Sequence, residues 1–249
     1  MRCLILILAL EIFSYCDIMY EMSTITEGMT GIGCETAMRI CVKGDCSRTD
    51  INSKNSMVGD ITNITITRLD KKLIWSLDSA RKQYSVTTFG ELMKSEKEKI
   101  EEVGDTIKPE VKVEKTGKKK TLLGHTCEEV TVSMNIKSNE GHVAFTQTLW
   151  VAKDIDGYDE IENFNKKLNN LKSGLSSPPI MGVNMKSFNE FQKKVSEISG
   201  FPLEFNMNMT LAAEDVSFSM KMRSIITKIE TKPLNQKIFE IPVGYSLQE

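Results

Sequence analysis

The stretch Leu203 to Leu211 reads Leu-Glu-Phe-Asn-Met-Asn-Met-Thr-Leu. Leu203, Phe205, Met207, Met209 and Leu211 alternate with Glu204, Asn206, Asn208 and Thr210. Period-2 alternation is the mark of a strand with one face buried, because successive side chains point to opposite sides of a sheet. After a break at Glu214-Asp215 the pattern resumes. Val216, Phe218, Met220 and Met222 alternate with Ser217, Ser219, Lys221 and Arg223. The two runs predict a long antiparallel hairpin with one apolar face.

The same reading extends upstream. Val130, Val132, Met134 and Ile136 alternate with small polar residues, turn around Ser138 to Gly141, and return through Val143, Phe145, Leu149 and Val151, with Gln147 as a polar exception. Shorter strands are expected over Asp17 to Thr26, Thr36 to Val42, Ser47 to Ile51, Asp60 to Arg68, Leu73 to Leu77 and Gln83 to Thr87. Lys118-Lys119-Lys120 reads as a solvated loop. Helical spacing is expected at Gly90 to Val103, Asp159 to Leu171 and Asn184 to Ile198, the last capped by Asn184 and stopped at Gly200. Ser173 to Gly182, with Pro178 and Pro179, reads as a linker between the last two helices.

A mainly β, α+β architecture follows: a curved antiparallel sheet with two or three helices. Those helices are little cover for roughly ten strands, so the sheet must curl as a barrel or half-barrel. Such a sheet leaves an apolar groove. Met134, Met207, Met209, Met220 and Met222 project into it, joined by Leu203, Phe205 and Phe218. Methionine fills a core or lines a surface that adapts to varied apolar shapes. The chain has 14 methionines in 249 residues.

Export is expected. Arg2 precedes the apolar run Leu4 to Leu10, and Ser14-Tyr15-Cys16 places small residues before Asp17, which fits a signal peptide over 1–16 cleaved between Cys16 and Asp17. The alternative is a lipoprotein anchored at Cys16. Residues 17–249 then form a single domain in the periplasm or outside the cell. No later stretch has the ~18 apolar residues needed to span a bilayer. Cys34, Cys41, Cys46 and Cys127 remain, an even number in an oxidising compartment, so at least one disulfide is expected. Cys41 and Cys46 flank a four-residue turn and could face each other, although free buried thiols fit the same residues.

Composition argues against several functions. With 32 basic and 34 acidic residues the formal charge is −2, so nothing draws the chain toward nucleic acid. Two histidines leave little for metal or triad chemistry. His125, Cys127 and Glu129 share a strand face but lie roughly 6.5 Å apart, too far for a direct hydrogen bond. No catalytic residue, metal or cofactor is expected.

Several pieces in order resemble a known bacterial family, the domain of unknown function 4412, itself similar to the periplasmic lipoprotein carrier LolA and its receptor LolB. They begin with Asp17 to Met22 and Val42-Lys43-Gly44-Asp45, with Arg48 beyond. Lys72 to Asp78, Lys82-Gln83-Tyr84 and Gly124 to Glu129 follow. Leu149 to Ala152 and Phe239 to Tyr245 complete the set. The resemblance implies an unclosed half-barrel with a helical lid over its concave face, and it supplies no activity. Two functions are expected from the whole reading: a carrier of a lipid, acyl chain or lipoprotein moiety, or else an envelope structural or interaction protein with a filled core and a protein partner.

Overall fold

The computed structural model describes residues 17–28, 32–55, 59–100, 110–138, 141–171, 185–213 and 216–248. The expected signal peptide, the Asn184 cap and the 173–182 linker lie outside the described residues.

Twelve strands form among the described residues, ten of them where period-2 alternation was expected. They are β1 (Ile18–Gly28), β2 (Ile32–Lys43), β3 (Cys46–Asn55), β4 (Gly59–Arg68), β5 (Leu73–Asp78), β6 (Gln83–Thr88), β7 (Glu110–Leu122), β8 (His125–Ser138), β9 (Gly141–Ala152), β10 (Phe201–Ala213), β11 (Val216–Thr231) and β12 (Ser246–Leu247). The helices are α1 (Phe89–Ile100), α2 (Tyr158–Leu171) and α3 (Met185–Ser196). All twelve strands form one curved sheet in the order β12-β6-β5-β4-β3-β2-β1-β11-β10-β9-β8-β7. Pairing is antiparallel except between β12 and β6. Two meanders, one on each side, are zipped together where β1 pairs with β11. The edge strands β7 and β12 do not meet, so the sheet is unclosed.

One expectation needs correction here. Lys118-Lys119-Lys120 is part of a strand, β7, and not a loop. The register shifts between Lys115 and Lys119, and Gly117 takes a φ of +76° inside that bulge. A bulged, lysine-rich edge strand is poor at pairing with a second molecule.

Local chemistry sets the junctions. Leu123 (φ +49°) and Gly124 (φ +85°) make the two-residue turn from β7 to β8, the form that matches strand twist. Thr88 and Glu91 form a reciprocal capping box on α1: the Glu91 amide donates to Thr88 Oγ1 at 3.2 Å, and the Thr88 amide donates to Glu91 Oε2 at 2.7 Å. Gly200 joins α3 to β10. A Cβ there would lie 2.6 Å from the Ala152 carbonyl oxygen, at a φ of +111°. Only glycine fits that close approach.

The core lies in three clusters, and they do not share one face. Met134, Phe145, Leu149 and Met209 pack with Phe191 of α3 on one side of β8–β10. Ile18 and Val42, on the same side of β1 and β2, pack with Ile161 and Phe164 of α2. Met19, Cys41, Ile66, Trp75 and Leu77 point to the opposite side, where Phe239 covers them. Phe239 belongs to a short 3-10 turn, Gln236–Phe239, in the segment that follows β11.

Candidate functional site

Register alone assembles the methionine-rich stripe. Met207 pairs with Met222, Met209 with Met220 and Leu211 with Phe218, which puts all six on the face that carries α3. Phe205 and Met207 stand opposite Leu149 and Gln147 of β9, and Met134 opposite Phe145. Met134 and Met209 are fully buried under Phe191, whose ring meets Phe145 edge-on at 4.8 Å. Phe205, Met207, Phe218, Met220 and Met222 are only half-buried. Leu203 does not join them. A bulge between Pro202 and Glu204 leaves it out of register, and it is buried in the cluster with Ile161 and Phe164.

Two cavities open on the same face. One, of about 290 Å³, lies between α2 and α3 and is lined by Leu149, Val151, Tyr158, Val195, Ile198 and Pro202, with Glu162, Asn165, Lys166 and Asn169 toward solvent. Its floor begins at Leu149, the strand partner of Phe205, so it adjoins the end of the methionine stripe. The second, of about 650 Å³, lies at the sheet edge over Val113, Val130, Val151 and Ile198. Lys115, Lys119, Lys153 and Lys194 stand around it, with Glu128, Glu129 and Glu197. Lys153 and Lys119 both reach Glu128, at 2.9 and 3.4 Å, and hold its carboxyl below the usual carboxylate range. Lys194 meets Glu197 at 3.0 Å. Sequence reading missed this lysine rim, since its members come from three separate segments and only the register unites them.

The reverse face of the same strands carries a paired polar cluster. Glu204 is buried, and burial pushes its carboxyl upward. Hydrogen bonds from Lys120 (2.7 Å) and Asn206 (3.2 Å) outweigh that, so the net shift is downward. Arg223 adds an ion pair at 3.4 Å, and the Lys120 ammonium stands 4.2 Å from the Trp150 ring centroid. Glu129 pairs with Lys118 at 3.0 Å.

The cysteines require a second correction: Cys34, Cys41, Cys46 and Cys127 are all free. Cys41 stands opposite Arg48 and Cys46 opposite Lys43, which makes the two thiols diagonal neighbours rather than a facing pair. Diagonal positions lie roughly 7–8 Å apart, beyond the span of a disulfide. Burial raises the thiol pKa of Cys41, Cys46 and Cys127, which makes them poor nucleophiles. His125 turns to Asp154, 3.2 Å away, rather than to Cys127. His142 is half-buried with Nε2 unpaired. Among the described residues no group of three or more His, Cys, Asp or Glu could hold a metal, and no helix is long and apolar enough to cross a membrane.

With this geometry in hand, the family model for the domain of unknown function DUF4412 matches residues 21–245. The chain belongs to the DUF4412 family. No curated protein matches this DUF4412 chain. Among solved structures it is similar to the LolA superfamily protein NE2245 from Nitrosomonas europaea, at 7% identity and a TM-score of 0.29, over 92% of this chain and 91% of that one.

Proposed function

We propose that this DUF4412 protein is an exported binding protein that holds an apolar ligand against the helix-bearing face of β8–β11, with α2 and α3 as its lid. The observation that carries this reading is the half-burial of Phe205, Met207, Phe218, Met220 and Met222 beside a fully buried core. A run of apolar side chains left partly open beside a packed core is a candidate binding surface. The adjoining cavity between α2 and α3 gives part of a ligand a place to bury.

The methionines fit the task. Each has three rotatable bonds and a polarizable sulfur, so the surface can follow chains of differing shape without specifying one. Gln147 across from Met207 gives that surface one polar contact. Binding without chemistry is the reading for these residues, because the nucleophiles are buried thiols of raised pKa.

Organic extraction of the protein purified from its native host, followed by mass spectrometry, tests the proposal. A stoichiometric acyl-chain or other apolar compound is expected. An empty extract from folded protein that also fails to take up added lipid would overturn it.

A further inference from the structure

We propose that the 650 Å³ cavity at the β7 edge is a head-group site, and that the ligand is a single acyl chain ending in an anion. This rests on the apolar-ligand reading and names its ligand class.

The charge balance is the first support. Four lysines and three glutamates line the cavity, and one of those glutamates, Glu129, is taken by Lys118 from outside it. Glu128 is shared between Lys119 and Lys153, and Lys194 has Glu197. Lys115 makes no ion pair among the described residues. The rim therefore carries an excess of positive charge over an apolar floor of Val113, Val130 and Val151. An anionic group would pair with Lys115 and share Lys119 or Lys153 while keeping contact with water. That avoids the cost of fully burying a charge. A neutral or cationic head group finds no such match.

Continuity is the second support. Val151 and Ile198 border both this cavity and the 290 Å³ cavity between α2 and α3. A chain anchored at the lysines would pass Ile198, just beyond α3, and continue toward Leu149 and Tyr158. From there it meets the methionine stripe at Phe205. Head group and tail thus fall on one line across the sheet. The anion could be the carboxylate of a free fatty acid or the phosphate of a single-chain lipid, and both present the same charge to the rim.

The test is calorimetric titration of the purified chain with dodecanoate, dodecyl phosphate, dodecanol and dodecyltrimethylammonium, each below its aggregation concentration. At least one anion should bind about fivefold tighter than dodecanol, the scale of one or two exposed ion pairs. That margin should shrink as salt rises. The tighter of the two anions identifies the source. Lys115→Gln, at an exposed position, should weaken the anion about two- to threefold and leave dodecanol unchanged. Ile198→Trp should block the passage, so that octanoate still binds and dodecanoate does not. Dodecanol bound as tightly as both anions, preference for the cation, or a Lys115→Gln variant indistinguishable from wild type would overturn the head-group site and leave the apolar-ligand reading standing. If none of the four compounds binds, both fail.

Discussion

The two halves of this sheet share one alternating pattern and bury opposite faces. In β3–β6 the apolar side chains are Ile64, Ile66, Trp75 and Leu77, and the chain's own C-terminal segment covers them. In β8–β11 they are Met134, Phe145, Met209 and their neighbours, on the face that carries α3. The C-terminal cover is locked down. Arg48 donates to the Ile238 carbonyl at 3.0 Å, and Arg68 to the Phe239 carbonyl at 3.3 Å. Lys43 and Asp17 hold Leu234 by its carbonyl (2.8 Å) and its amide (2.7 Å), and Arg68 also pairs with Asp70 and Glu240. Phe239 is fully buried there. Among the described residues no side chain of the sheet reaches the α3 backbone in this way, and cavities open beside it. A face sealed by its own chain is a core, and one covered loosely has room for a guest.

The largest effect should come from breaking the sealed half. Phe239→Ala removes a fully buried ring and should cost about 3–5 kcal/mol, because the clamped segment can relax only partly into the void. Denaturant unfolding followed at Trp75 and Trp150 measures it. A loss near that of an exposed substitution would mean that the C-terminal segment does not seal the face. Next, Arg68→Met keeps the stem and removes the donor to Phe239, Asp70 and Glu240. About 2 kcal/mol should be lost, the scale of a charged hydrogen-bond network. Binding of apolar compounds should be unchanged in folded protein, since the clamp lies on the opposite face.

Much of this fold could be read from the residues. Leu203 to Leu211 and its partners declared strands because their apolar side chains recur every second position, and the helices between β9 and β10 appeared as stripes at helical spacing. Alternation says that a face is buried but not which one, and the reversal between the halves depends on what covers each. The strand β7 escaped notice because it is an edge: Lys112, Lys115, Lys118 and Lys119 are exposed on both sides, so no period emerges. The covering segment 232–248 has no period either, and its role follows from Arg48 and Arg68 reaching its carbonyls. At the candidate site the methionine stripe was legible except for Leu203, whose bulge no alternation predicts. The lysine rim was not, because β7, β9 and α3 meet only in three dimensions.

A smaller, pH-dependent effect sharpens the contrast on the reverse face of β10. The carboxyl of Glu204 sits below its ordinary value in the folded protein, so the unfolded chain binds more protons between the two pKa values. Its contribution is present above the unfolded value of about 4.3 and lost as pH falls through the lower folded value. Thermal midpoints should therefore drop on acidification below about pH 4, and less steeply in Glu204→Gln. Identical acid slopes in the two proteins would show that the Lys120 pairing does not supply this term.

The most direct test of the central claim is saturable binding of an apolar fluorescent probe, measured together with the thermal midpoint, in wild type, Met207→Glu and Met220→Glu. A carboxylate on a half-open face can reach water, whereas one sealed in a core costs several kcal/mol. The account predicts that wild type binds the probe, that both variants lose most of that binding, and that stability changes by about 1 kcal/mol or less. A wild type that never binds the probe, with variants that unfold outright, would contradict it and make this face a second sealed core.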